Sequence, residues 1–271
     1  MPTRDMTSWE TAISKVVSEG DTEEIVVRGH RMSELIGQVS FAEMMFLMLR
    51  GKLPSQPQAR TLDALLVASI EHGIAPPSMI ARCHASYGTS IQSAIGAGVN
   101  AFGDRMGGLG EQMAEMLVAR LSPHLAARAP SDALLEREAE ALVADCLARK
   151  ARIPGYGIPL HDMDPRAPKV LDVARREGMF GAYCRFGMAI EAAIGRARGG
   201  KTVPMNVDGV SAVVALDLGF DWRATRMFLI TPRTVSFGAH FLEEQSQDTT
   251  WRHLPAEQIT YTGKEPAKSG T

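Results

Sequence analysis

No stretch of this chain reaches the roughly 18 consecutive apolar residues that a membrane-spanning helix needs, so no span is expected. The opening residues, Met1 to Glu10, lack the apolar centre of a secretory leader. Cysteine is sparse. Cys83, Cys146 and Cys184 form no close pair and no metal-ligand spacing, which excludes a disulfide framework and leaves no metal site to expect. An odd, scattered set suits a reducing cytoplasm, with each thiol acting as a small buried apolar group. Neither sign of charge dominates: the formal net charge is −2, which gives no general pull toward nucleic acid or an anionic membrane. Nucleotide-binding glycine loops are missing too. The segment Gly103 to Gly110 has glycines but no following Lys-Ser/Thr, so ATP binding has no support.

What the chain does have is apolar material, 45% of 271 residues, enough for one large domain or two moderate ones. Its spacing is helical. Ser40-Phe41-Ala42-Glu43 is a capping box that opens a helix ending at Gly51, apolar nearly all round and so expected to be deeply buried. Leu62, Leu65, Leu66, Ser69 and Ile70 recur at helical spacing up to Gly73. Further helices are predicted from Ser131, after Pro168 to Gly178, over Phe180 to Arg198, and over Val210 to Leu218, the last rich in Ala and Val and suited to burial on both sides. Thr225 to Glu244 is helical with Pro232 marking a break or a new start. Only Glu24 to Arg28 suggests a strand. The fold class is therefore all-α.

The segment most suggestive of chemistry is Gly155-Tyr156-Gly157-Ile158-Pro159-Leu160-His161-Asp162-Met163-Asp164-Pro165-Arg166. Its glycines permit a tight loop and close backbone approach to a ligand. His161 can move a proton near neutral pH, and Arg166 can hold a carboxylate or phosphate with two prongs. The plain alternative is a surface loop in which Asp164 caps a helix that Pro165 begins. Asp208 precedes an apolar helix, where free backbone amides and the helix dipole favour a carboxylate, and an ordinary N-cap would explain it equally.

These pieces line up in order with a known pattern. The loop resembles the Gly-aromatic-Gly…Asp-Pro-Arg segment of the citrate synthase superfamily, in the form carried by short citryl-CoA-lyase-like proteins. Ser40-Phe41-Ala42-Glu43 to Pro54, Glu71-His72-Gly73 to Arg82, Gly103-Asp104-Arg105-Met106-Gly107-Gly108, Asn206-Val207-Asp208-Gly209, and Arg233 to Glu244 resemble further segments of it. The resemblance spans roughly residues 25 to 262. It implies a large helical domain, residues 1–109 and 222–271, and a smaller helical domain, residues 110–221, closing over the site. It also implies a homodimer packed through helices such as those near Ile91 to Phe102.

By the same resemblance Asp208 is the carboxyl that exchanges a proton with the methyl carbon of acetyl-CoA. Arg166, Arg233 and His72 hold the carboxylates of the substrate. Gly155, Tyr156 and Gly157 border the CoA thioester, which is a substrate and not a resident cofactor. The plain alternatives are a salt bridge of Arg166 to Asp162 or Asp164, a helix-end contact for Arg233, and a helix C-terminal role for His72. Arg175-Arg176 and Arg196, Arg198 and Lys201 are either solvated helix ends or contacts to a CoA phosphate.

The departures carry as much information. Met106 stands where citrate synthases place an enol-stabilising histidine, and an apolar residue there is similar to the lyase branch. Ile158 replaces the loop histidine that trades a proton with the substrate oxygen, which isoleucine cannot do. His161 either moves into that role or is an ordinary loop residue. Asp162 stands where a lysine is frequent, and Arg252 or His253 stands near a region that supplies a partner-subunit arginine. The leading expectation is a CoA-dependent carbon–carbon lyase or synthase acting on a citryl-CoA-like ester, giving acetyl-CoA and a keto acid such as oxaloacetate, or the reverse. The alternatives are a different acyl-CoA reaction on the same scaffold and a non-catalytic binding protein.

Overall fold

The computed structural model describes residues 9–125, 129–157, 164–247 and 250–264. Near the start, β1 (Ser14–Glu19) pairs antiparallel with β2 (Thr22–Val27), which pairs with β3 (His30–Arg31). Gly20, at φ +64°, closes the two-residue turn between the first two strands. The strand expected over Glu24 to Arg28 overlaps β2, whereas β1 and β3 were not expected. The segment Ser14–Glu19 has only two apolar residues, and it becomes a strand because Val16 lies opposite Ile25 in the hairpin.

The rest is helical, as the spacing requires. The elements are α1 (Met32–Leu35), α2 (Phe41–Arg50), α3 (Gln56–Ser69), α4 (Pro76–Ser86), α5 (Ile91–Asn100), α6 (Leu109–Leu125), α7 (Asp132–Ala148), α8 (Arg166–Arg176), α9 (Ala182–Ala197), α10 (Val207–Asp217) and α11 (Met227–Ser246). The capping box of α2 forms in full: Ser40 Oγ accepts from the Glu43 amide at 3.2 Å, and the Ser40 amide donates to Glu43 Oε2 at 2.7 Å. Gly51 ends the helix in the left-handed region at φ 74°. The helix is less buried than expected: Ala42, Met45, Phe46 and Leu47 face inward, while Phe41 is exposed. Pro232 neither breaks α11 nor starts it, because it sits inside one continuous helix beside the buried Phe228 and Arg233. Helices α4 and α6 lacked a periodic signal strong enough to be expected.

The chain divides into two compact units. One comprises Met1–His72 and Phe102–Arg233, and the other Gly73–Ala101 and Thr234–Thr271. In the second unit α4 packs on α5. A side chain at Gly98 of α5 would come within 2.8 Å of the buried Phe237 ring of α11, so glycine lets these helices close up. There the buried Glu244 carboxylate takes Arg82 Nε at 2.6 Å and Arg252 Nε at 2.6 Å.

The larger unit is organised around α10, which packs against α3, α6, α8 and α9. Val210, Ala212, Val213, Val214 and Ala215 are fully buried, so this helix has no solvent face, as its composition suggests. Its two ends are fixed by specific contacts. At the far end, Asp217 accepts from the amides of Gly181 (2.8 Å), Tyr183 (3.0 Å) and Cys184 (2.9 Å), which caps α9 from outside its own chain segment. Gly181 brings no side chain to cap with, and a Cβ there would stand 2.5 Å from the Asp217 carboxylate. Burial and the adjoining Asp217 push the Cys184 thiol well up, which makes it an inert core group.

At the near end, the backbone of the glycine loop is stitched to the segment leading into α10. The Asn206 amide donates to Gly155 O at 2.9 Å, the Gly157 amide to Pro204 O at 2.9 Å, and Asn206 Nδ2 to Gly157 O at 2.8 Å. Gly155, at φ +84°, comes so close to α10 that a Cβ would strike Met113 Sδ and stand 2.8 Å from Gly209 Cα.

Two outcomes follow for stability, both read from chemical denaturation of the full chain. Asp217→Ala leaves buried amides of α9 without their acceptor and should cost about 2–4 kcal/mol. Gly155→Ala combines left-handed backbone with overpacking and should cost roughly 2–5 kcal/mol. An unchanged denaturation midpoint in either variant would contradict the corresponding contact.

Candidate active site

Four parts of the larger unit bring polar groups to the head of α10. Glu71 and His72 follow α3, Asp164 and Arg166 lie at the start of α8, Arg233 comes from α11, and Asp208 sits in the first turn of α10. Asp208 is not the cap of that helix. Asn206 is, with its Oδ1 accepting from the Gly209 amide at 3.1 Å. The N-cap explanation for an aspartate at this position is thereby removed, and the favourable dipole of the first turn remains.

Arg166 is only partly exposed, and Asp164 is buried at 5% exposure. Their ion pair is two-pronged: Nε donates to Oδ1 at 2.9 Å and Nη2 to Oδ2 at 2.7 Å, while the Arg166 amide also donates to Oδ1 at 3.0 Å. Arg166 Nη1 reaches the carbonyls of Ala68, in the last turn of α3, at 3.3 Å and of Glu71, just beyond it, at 3.5 Å. The expected alternative, a salt bridge to Asp164, is therefore present, but as a buried pair and not a surface one. Arg233 is 4% exposed, and its Nη1 donates to Glu71 Oε1 at 3.3 Å. Its Nε is buried and has no hydrogen-bond partner among the described residues. A buried guanidinium donor without an acceptor is costly and uncommon.

The charges act on one another throughout this group. Burial pushes the Asp208 carboxyl above the ordinary aspartate value; Arg166 and Arg233 pull it down, and Asp164 adds to the rise. Burial also pushes Asp164 up, but the bonds and charge of Arg166, with His72, outweigh it and hold the group low. His72 is exposed by area, yet desolvation and then the Arg233 charge lower it, with Arg166 adding, so its neutral form is favoured near pH 7. Burial lowers Arg233, with Glu71 opposing. A carboxyl that resists ionisation, beside two guanidiniums and a neutral imidazole, can hold an anion and pass a proton.

Asp208, Arg166, Arg233 and His72 are thus brought together. His161, Ile158 and Asp162 lie outside the described residues. Gly155, Tyr156 and Gly157 adjoin Asp208 through Asn206 and Gly209, and the Tyr156 hydroxyl donates to Gly187 O at 2.8 Å. Burial puts that hydroxyl well above its ordinary pKa, so it remains protonated. Met106 is half-buried in a tight turn in which it exchanges backbone bonds with Gly103. Arg252 is engaged with Glu244 inside its own unit, and His253 lies against Trp251. Among the basic clusters, Arg175 lies over the Phe180 ring and Arg196 pairs with Glu140. No group of three or more His, Cys, Asp or Glu among the described residues is placed to hold a metal ion. None of the helices there is long and apolar enough to cross a membrane. Glu71 and Asp164 are the members that sequence reasoning did not assign to the site. The adjacency of each to His72 or Arg166 was visible, but their burial against guanidiniums was not.

Comparison with known proteins identifies the family. The family model for the citrate synthase C-terminal domain matches residues 2–62 and 56–254. A citrate synthase of Heyndrickxia coagulans is 26% identical over 234 residues, 83% of this chain and 57% of its own length, so the chain spans little more than half of that relative. The structure of a citryl-CoA lyase from Hydrogenobacter thermophilus superposes with a TM-score of 0.84, at 36% identity over 96% of both chains. An ATP citrate lyase of Methanothrix soehngenii, solved with citrate and coenzyme A, shares the fold at a TM-score of 0.78 and 18% identity, with 97% of this chain matching 43% of that one. With a matching family model over most of its length and a 36% identical relative over nearly all of it, the chain belongs to the citrate synthase family.

Proposed function

We propose that the protein is an enzyme that cleaves a citryl-CoA-like 3-hydroxy-3-carboxyacyl-CoA to acetyl-CoA and a keto acid such as oxaloacetate, or joins these in reverse. The observation that carries the reading is the meeting of Asp208 with Arg166, Arg233 and His72 in a chain 36% identical to a citryl-CoA lyase. That identity favours it over a different acyl-CoA reaction or a non-catalytic binding role. The carboxylates of the substrate are taken up by Arg166 and Arg233, and the Nε of Arg233, without a hydrogen-bond partner among the described residues, supplies a donor. His72, neutral and beside both guanidiniums, adds a hydrogen bond. In cleavage a base removes the hydroxyl proton, and His161 is the assigned candidate. The carbon–carbon bond breaks, its electrons pass into the enolate of acetyl-CoA, and Asp208 in its protonated form delivers a proton to the enolate carbon. A raised pKa suits that donor, and the ionised form takes the proton back in condensation.

In this reading Gly155, Tyr156 and Gly157 border the CoA thioester through backbone, because the Tyr156 hydroxyl is engaged with Gly187. The smaller domain, residues 110–221, closes over the bound ester and keeps water from the thioester. The three free thiols suit work in the cytoplasm, where they stay reduced. The protein acts as a homodimer, which the exposed apolar side chains Met79, Ile91, Val235 and Leu242 of α4, α5 and α11 support.

The decisive assay incubates the full chain with citryl-CoA and follows acetyl-CoA and oxaloacetate. Asp208→Asn should lower turnover on the order of 10²- to 10⁴-fold. The same variant should be more stable to heat at pH 7. The folded state holds the Asp208 proton more tightly than the unfolded chain does. The stability this contributes is full below the ordinary aspartate range and is lost as pH rises through the raised value. Asparagine never ionises, so the gain disappears under acid conditions. Unchanged turnover in Asp208→Asn would end the reading. Light scattering should give twice the 29.3 kDa chain mass, and a single-chain mass would remove the dimer.

A further inference from the structure

Arg166 is assigned above to a substrate carboxylate, yet much of its donor capacity is already engaged. A guanidinium has five N–H donors. Here Nε and one Nη2 hydrogen go to the Asp164 carboxylate at 2.9 and 2.7 Å. Nη1 has long bonds to Ala68 O at 3.3 Å and Glu71 O at 3.5 Å. Among the described residues, what remains for a ligand is the second Nη2 hydrogen and the weakly engaged Nη1, which together form one edge of the plane. Asp164 is itself immobilised: it is 5% exposed and accepts the Arg166 amide at 3.0 Å, so the start of α8 fixes the carboxylate that fixes the guanidinium. A flexible arginine loses rotamer freedom on meeting a ligand, and a held one has already lost it.

We propose that Asp164 is a positioning residue, which grips the Nε–Nη2 edge of Arg166 and so presents the Nη1–Nη2 edge to the substrate carboxylate. The proposal rests on the functional reading above. A residue acting only in folding would alter stability alone, but this one has a second effect. Asp208 is faced by Arg166 from α8, by Arg233 from α11 and by Asp164, with His72 and Glu71 beyond α3 flanking the two guanidiniums. Loss of the Asp164 charge removes a like charge near Asp208 and frees Arg166 to attract it. Both changes favour the ionised form of Asp208, which cannot protonate the enolate.

The test uses the full chain with citrate as the calorimetric probe and citryl-CoA as the kinetic one. Asp164→Asn should weaken citrate binding and raise the KM for citryl-CoA on the order of 10- to 100-fold. It should also move the alkaline limb of the cleavage pH profile to lower pH. Asp164→Glu keeps the charge but not the reach. It should weaken binding while leaving that limb in place, and it provides a second variant should Asp164→Asn fold poorly. Citrate affinity and KM in Asp164→Asn indistinguishable from the unsubstituted protein would overturn the proposal, as would weakened binding with an unmoved limb. If the unsubstituted protein binds citrate but cleaves no citryl-CoA, the functional reading fails while citrate affinity still decides the role of Asp164. If citryl-CoA is cleaved but free citrate does not bind, the KM decides the role of Asp164. Absence of both citrate binding and cleavage overturns the proposal and the functional reading together.

Discussion

The larger unit depends on one constraint: α10 has no face that can meet water. Its residues from Val210 to Leu216 are buried all round, so α3, α6, α8 and α9 must cover it on every side. Hydrophobic burial alone would leave its axial position and rotation loosely set, because Val and Ala present similar surfaces in all directions. The polar contacts at its two ends remove that freedom. Asp217 at one end receives three amides of α9, and the Gly155 to Gly157 backbone at the other end receives and donates bonds around Asn206. Asp208 therefore stands where packing and hydrogen bonding both require it.

The charge arrangement at that end is costly for the fold and suits the proposed chemistry. Two guanidiniums, Arg166 and Arg233, face three carboxyl groups, Asp208, Asp164 and Glu71. Asp164 and Glu71 each have an arginine partner at hydrogen-bonding distance. Asp208 feels both arginines without such a bond among the described residues, and burial leaves it reluctant to ionise. A folding optimum would neutralise it, whereas proton transfer to and from carbon needs a carboxyl poised in this way. The buried Nε of Arg233, which has no hydrogen-bond partner among the described residues, belongs to the same trade.

The glycine loop shows how one motif can serve two demands. Its left-handed Gly155 permits close approach, and the neighbour approached is Gly209, at the turn that carries Asp208. A side chain at either position would collide with the other's backbone or with Met113 and Met205. Glycine at 155 and glycine at 209 thus hold the catalytic candidate in place, independent of any ligand.

Much of the secondary structure was legible because it rests on neighbours in the chain. The Ser40–Glu43 capping box, the stop at Gly51, the Ser131 cap and the wholly apolar α10 all involve residues within a few positions of one another. The family pattern, read in order along the chain, identified Asp208, Arg166, Arg233 and His72. Other features depended on distant partners. Strand β1 exists because β2 lies beside it, and Asp217 caps a helix more than thirty residues away in the chain. Asp164 reads locally as a helix cap or a surface ion-pair partner, yet it is buried, and the arginine it holds reaches the end of α3. By itself the sequence determined most of the helices, several of their ends and the candidate site residues Asp208, Arg166, Arg233 and His72, since propensity, capping and periodicity act over one or two turns and the family pattern is read in order. Only the tertiary structure decided which carboxyl has no bonded partner among the described residues and which arginine edge is weakly engaged, because burial and charge pairing belong to groups that the chain brings together from four separate segments.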